Sequence, residues 1–145
     1  MPEQRIVIQE DKDVVVAWKS GLARARDLGF GPFKQACLSG AVLELSRGVV
    51  EKGRQGVCVL SDESDVRMLR ARLVLEAGGR DLAPYARLKL EREVNIGPQL
   101  PPVRLQQIVE SCQVESGADW TRVTLTVNQS RLASKPSRAS AFIRT

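Results

Sequence analysis

The chain has 145 residues, 43% of them hydrophobic and 27% charged, which is the balance of one folded domain with its own core and not of a disordered or fibrous chain. It contains no histidine, so Ser-His-Asp and Cys-His catalytic units, imidazole bases and His-containing zinc sites are excluded. The formal net charge is +5, but Arg131, Lys135, Arg138 and Arg144 fall in a stretch, 129–145, that has no Asp or Glu; the remainder is close to neutral, and nucleic acid is not the expected partner.

Residues Arg5 to Gln9 alternate, with Ile6 and Ile8 on one side and Arg5, Val7 and Gln9 on the other, which predicts a half-buried strand. From Asp13 the period becomes helical: Val14, Val15, Trp18, Leu22, Ala25 and Leu28 recur at steps of three and four, up to the stop Gly29-Phe30-Gly31-Pro32. Pro32 suits a first helical position, and a second helix runs from it through Phe33, Cys37, Ala41, Leu45 and Val49 to Lys52-Gly53. Trp18 and Phe33 are expected in the core. Glu44 falls on the border of the second apolar stripe, where an acid is either solvated on a helix flank or held for chemistry. Gly56 to Ser61 and Met68 to Glu76 read as a hairpin around Asp62-Glu63-Ser64-Asp65.

Leu82 to Gly97 fits a helix, a strand or a loop equally well. Pro98, Pro101 and Pro102 punctuate the next stretch, and Val103 to Cys112, through Leu105, Ile108 and Val109, has helical spacing. After Gly117 comes the clearest strand, with Thr121, Val123, Leu125 and Val127 against Arg122, Thr124 and Thr126. The order predicts an α+β protein: a two-layer α/β sandwich in which helices cover one face of a mixed β-sheet. A single domain is expected over 1–128, and beyond it a basic tail, 129–145, without stable order. Cys37, Cys58 and Cys112 stand apart with no C-x-x-C spacing, as small apolar residues of a reducing compartment do. Nothing approaches the ~20 apolar residues of a membrane span, and Met1-Pro2-Glu3-Gln4 does not open a signal peptide. The expected location is the cytoplasm, away from membranes.

Three stretches carry a family resemblance. The first and most specific lies within Trp18 to Leu45: Ala23-Arg24-Ala25-Arg26-Asp27-Leu28-Gly29-Phe30-Gly31, then Gln35-Ala36, then Ala41-Val42-Leu43-Glu44-Leu45-Ser46-Arg47. The weaker two are Leu73-Val74-Leu75-Glu76-Ala77-Gly78 and Gln107 to Val127. Together they resemble the anti-sigma-factor serine/threonine kinases, in particular the RsbT-type switch kinases of bacterial stressosomes, in the GHKL ATPase superfamily. The resemblance implies a GHKL (Bergerat-like) fold and a switch protein that engages a STAS-domain antagonist, a phosphatase or a sigma factor.

It also implies a degenerate ATP site. Where the family has Glu-x-x-x-Asn, with Glu as catalytic base and Asn as a Mg²⁺ ligand, this chain has Glu44 and Gly48, so Mg²⁺ is not expected and no metal ligands are assigned. Where the family has Asp-x-Gly-x-Gly around the adenine, this chain has Glu76-Ala77-Gly78-Gly79-Arg80, with Arg80 either obstructing nucleotide or pairing with phosphate. Gly97-Pro98-Gln99-Leu100-Pro101-Pro102-Val103 replaces the phosphate loop, and prolines remove its N–H donors. Thr121 matches a threonine near adenine. The resemblance thus implies a pseudokinase with no cofactor or weak ATP, and its partner contacts are expected at Arg24, Arg26 and Phe30 near the turn between the first two helices, since Arg and aromatic residues commonly anchor interfaces. The alternative is an active or residually ATP-binding kinase of a STAS-domain protein, with Glu44 catalytic and Glu76, Gly78, Arg80 and Thr121 on the nucleotide. A homodimer stays open, and a nucleic-acid role would have to reside in the tail.

Overall fold

The computed structural model describes residues 3–96 and 98–131; the expected tail lies, from residue 132 on, outside them. In chain order the elements are β1 (Gln4–Ile8), α1 (Asp11–Leu28), α2 (Pro32–Glu51), β2 (Gly56–Asp62), β3 (Met68–Gly78), α3 (Leu82–Glu91), β4 (Glu93–Val94), β5 (Val103–Arg104), α4 (Leu105–Ile108), β6 (Ser111–Ser116) and β7 (Trp120–Ser130). The expected α+β class is found: helices pack on one face of a five-stranded sheet of order β1-β2-β3-β7-β6, with β4 and β5 as a separate two-stranded ladder. No helix among the described residues is long and apolar enough to cross a membrane.

Every pairing in the sheet is antiparallel, a narrower outcome than the mixed sheet anticipated. The connection explains it. Between β1 and β2 the chain makes two helices, so it reverses twice before re-entering the sheet, whereas a single crossover helix would have set the neighbours parallel.

The register sorts side chains by face. Ile6, Cys58, Leu75, Val123 and Val114 form one row across all five strands, and Leu60, Leu73, Leu125 and Cys112 form the next; these meet the helices. The rows on either side of the first, Arg5, Val59, Val74, Thr124 and Gln113 between the two and Val7, Val57, Glu76, Arg122 and Glu115 beyond it, point to the opposite face.

Local chemistry sets the helix ends. Asp13 Oδ2 accepts the N–H groups of Gln9 and Glu10 at 2.9 and 3.1 Å, closing a capping box before α1. Gly29 ends α1 at φ +94°, a conformation glycine adopts without a Cβ clash. The α2 helix starts at Pro32, as expected. It is the central helix, with Cys37 through Val42 buried without interruption: α1 flanks one side, α3 the other, and the sheet lies beneath.

Two regions depart from the sequence pattern. The 82–97 region, which fitted three conformations, contains α3 and β4. The helix expected over Val103 to Cys112 is reduced to the single turn α4, and Cys112 belongs to β6. Cys112, Val114 and the intervening Gln113 alternate, and pairing with the long strand β7 across Gly117 outweighs a helical spacing only two turns long.

Leu73 sits where the central strand crosses the core and is fully buried. Leu73→Ala should lower unfolding stability by about 2–5 kcal/mol, read as a lower urea midpoint at unchanged slope; a smaller loss would mean the sheet does not carry the core at this strand.

Candidate functional site

Residues Gly40, Glu44 and Gly48 recur every four positions on α2 and so line one stripe of it. That stripe is covered. A Cβ on Gly48 would overlap the ring of Tyr85 from α3, and one on Gly40 would come within 3.0 Å of Ile96 Cγ2. The two glycines let α3 and the strand segment after it lie directly on the α2 backbone.

Glu44, between them, is held from three sides. Lys89 Nζ is 3.4 Å from its carboxylate and Arg47 Nη1 3.5 Å, while the Tyr85 hydroxyl donates to the Glu44 carbonyl oxygen at 3.3 Å. The Lys89 ammonium also stands 5.4 Å from the Tyr85 ring centroid. Only 12% of the Glu44 side chain is exposed. Burial, then the Glu51 and Glu44 carboxylates, push the Tyr85 phenol up to about 12. The cluster fastens α3 to α2, and the carboxylate that a kinase would use as base is committed to it.

The other nucleotide-site candidates lie elsewhere. Glu76 is on the outer face, ion-paired with Arg122 at 3.4 Å, so the sheet separates it from Glu44. Together with Gly78, Val7, Val57, Trp120 and Arg122 it borders an open concavity of about 540 Å³. Arg122 lies over the Trp120 indole, 5.5 Å from its centroid. Thr121 is buried, and its hydroxyl donates to the Gly79 carbonyl at 2.8 Å, fixing the turn after β3. Gly79 has φ +80° and is packed under the Arg54–Asp81 pair. Arg80 is exposed and borders neither Glu44 nor the concavity.

These residues do not fit Mg²⁺-ATP as the family arrangement would hold it. Gly48 offers no oxygen, the Tyr85 ring occupies the space beside it, and Glu44 and Glu76 face opposite sides of the sheet.

The partner-contact residues divide. Arg24 and Phe30 are buried, at 6% and 3% exposure, and offer no contact surface: Arg24 lies on the packed side of α1, and Phe30 comes after the Gly29 cap that turns the chain inward. Arg26 is exposed. Phe33, expected in the core, is 37% exposed because it sits one turn before Cys37 at the open end of α2, and Trp18 is half-buried. Tyr85, Lys89 and Ile96 escaped the sequence reading. The signal for them was the pair of glycines eight residues apart inside a helix, since such pairs cost helix stability unless a neighbour needs the room.

No protein-family model matches the chain, and no curated protein does.

Gly48→Ala should destabilise the protein by about 1–3 kcal/mol because the methyl group meets the Tyr85 ring. In a Tyr85→Ala background the same change should instead stabilise by up to about 1 kcal/mol through helix propensity; equal effects in both backgrounds would deny the contact. Alkali supplies a second test. Burial pushes the Cys37 thiol up to about 11, with Lys34 opposing, and the Cys58 thiol up to about 12. Between about pH 9 and those values the unfolded chain loses protons that the folded chain keeps, so stability should fall as pH rises. Urea midpoints should drop between about pH 8 and about pH 10.5, and less so in Cys58→Ala; a flat profile contradicts the burial.

Proposed function

We propose that this protein is a cytoplasmic regulatory switch of the anti-sigma serine-kinase type that acts by binding a protein partner and not by phosphoryl transfer. The observation that carries this reading is the Tyr85 ring seated on Gly48, with Ile96 on Gly40, which closes the stripe on which Glu44 would meet a nucleotide. Phosphoryl transfer depends on positioning and on neutralising charge at the triphosphate. A base tied to Lys89 and Arg47, with no oxygen at position 48, supplies neither.

The partner of this reading is a STAS-domain antagonist, a phosphatase or a sigma factor. Arg26 and Phe33 are exposed near the α1–α2 turn, and Arg and aromatic residues are frequent anchors of interfaces. One observation favours residual nucleotide binding instead: Glu76 and Gly78 share the 540 Å³ concavity with an exposed indole that can stack on a base.

Calorimetric titration with ATP and Mg²⁺ separates the readings. No saturable heat is expected below about 1 mM nucleotide. Micromolar binding lost in Glu76→Ala would overturn the pseudokinase reading. A complex with a purified STAS-domain protein should form without nucleotide and weaken about tenfold or more in Arg26→Glu, as read by titration; a complex that needs ATP would reject the proposal.

A further inference from the structure

One face of the sheet carries the helices, and the other carries an apolar patch of its own. Val7 on β1 stands opposite Val57 on β2, and Val59 on β2 stands opposite Val74 on β3, so four valines adjoin on the outer side. Val7 is 54% exposed and the other three are half-buried. The solvated face of an antiparallel sheet is ordinarily polar. Trp120, 41% exposed, closes the concavity on its far side across Gly78, above which a Cβ would meet open space. Its indole lies back against Gly117, where a Cβ would overlap it.

The chain itself supplies a segment of matching length and charge. Arg131 donates to the Arg67 and Asp65 carbonyls at the tip of the β2–β3 hairpin; after it come Leu132 and then only Ala, Ser, Lys, Pro and Arg as far as Phe142-Ile143. The return from Ser130 to Trp120 along β7 is ~33 Å, and the about 11 residues from Arg131 to Phe142 reach ~36–40 Å when extended. Leu132 cannot make that return. Val66 and Phe33, the exposed apolar residues beside Arg67 and beside the Gly31–Gln129 bond, are too close to the exit to need a spacer of that length. Lys135, Arg138 and Arg144 come without an acid, whereas in the outward row through the concavity Glu76 and Glu115 flank a single cation, Arg122, which leaves that row negative.

We propose that residues 132–145 return over the outer face of the sheet and seat Phe142 and Ile143 in the concavity bounded by Val7, Val57 and Trp120. The Phe142 ring takes the space over Gly78, beside the Trp120 indole, in one of the offset or edge-on arrangements that aromatic pairs adopt. Arg144, two residues on and so on the same side of an extended chain, faces the acids of the row. The connecting residues from Ala133 to Ala141 include no large apolar side chain, which lets their backbone lie close over the valines. Tethering holds the segment at an effective concentration in the mM range, so a contact too weak to retain a free peptide still closes in the intact chain. A seated segment takes the concavity from any nucleotide, and it does so whatever the α2 stripe binds.

Nuclear magnetic resonance of the isotope-labelled full chain tests this. Nuclear Overhauser contacts are expected from the Phe142 ring to the methyl groups of Val7 and Val57, unchanged in relative intensity on dilution from about 1 mM to about 0.1 mM because the contact is intramolecular. Phe142→Ser should shift the Trp120 indole N–H signal and leave core signals such as the Leu73 methyl groups in place. Gly78→Ile, which fills the floor of the concavity at a position without a left-handed φ, should remove the Phe142 contacts. Far-UV circular dichroism and thermal melting check each variant. If Gly78→Ile fails to fold, the Phe142→Ser shift decides alone. A Phe142 ring that touches Phe33 or Val66 instead, or nothing, overturns the proposal. So do contacts that survive Gly78→Ile, a Trp120 signal that Phe142→Ser leaves unmoved, and contacts that fade on dilution, which would put the segment of a second copy in the concavity.

Discussion

Close contact between α2 and the segment that crosses it organises both the core and the candidate site. A helix buried on nearly all sides needs neighbours on all of them. The sheet covers one side of α2. On another, α1 approaches at Gly21, where a Cβ would come within 3.1 Å of Val42. The remaining side is closed by Tyr85 and Ile96 on the glycine stripe. Without that third contact the backbone at Gly40 and Gly48 would face water, with two glycines weakening the helix and nothing in return.

The same contact governs the electrostatics of Glu44. A carboxylate only 12% exposed costs free energy unless it is paired, and the pairing cations come from α3 and from α2 itself, through Lys89 and Arg47. Tyr85 adds its ring beneath the ammonium and its hydroxyl on the backbone. Glu44 thus works as a fastening between helices, because the geometry that shields it also leaves its charge balanced and its surroundings filled. On the far side of the sheet, Glu76 and Arg122 neutralise each other in the open, so the two acids singled out by resemblance sit in separate environments.

How much of this was legible in the sequence depended on the range of the interactions. The α1 and α2 helices were readable because their apolar spacing is local and their ends carry Asp13, Gly29 and Pro32. β1, β2, β3 and β7 were readable because one face is buried and the other is not. The helix α3 was ambiguous because its stripe, Leu82, Ala83, Ala86 and Leu90, is short and set among Arg87, Lys89 and Glu91, and because it depends on distant contacts, among them the Tyr85–Glu44 bond to α2, 41 residues away. β6 resembled a helix since its partner lies beyond the turn, and two helical steps mimicked a longer pattern. At the candidate site, Gly48 was legible as a missing oxygen but not as a seat for a ring. Arg24 and Phe30 were not legible as buried because residue type says what a side chain can contact, while its place on the packed side of α1 buries Arg24 and the cap at Gly29 turns Phe30 inward.

The filled stripe also bears on what a nucleotide site at this position would require. In an ordinary empty pocket, a missing metal ligand is one substitution away. Here an oxygen-bearing side chain at position 48 would have to displace Tyr85; that movement would also loosen the Lys89–Glu44 pair and uncover the backbone beneath. Each step towards a nucleotide site thus removes packing on which the central helix depends. The closed stripe is accordingly a stable arrangement in its own right, and among the described residues the surfaces it leaves open include Arg26 and Phe33 near the α1–α2 turn and the outer face of the sheet.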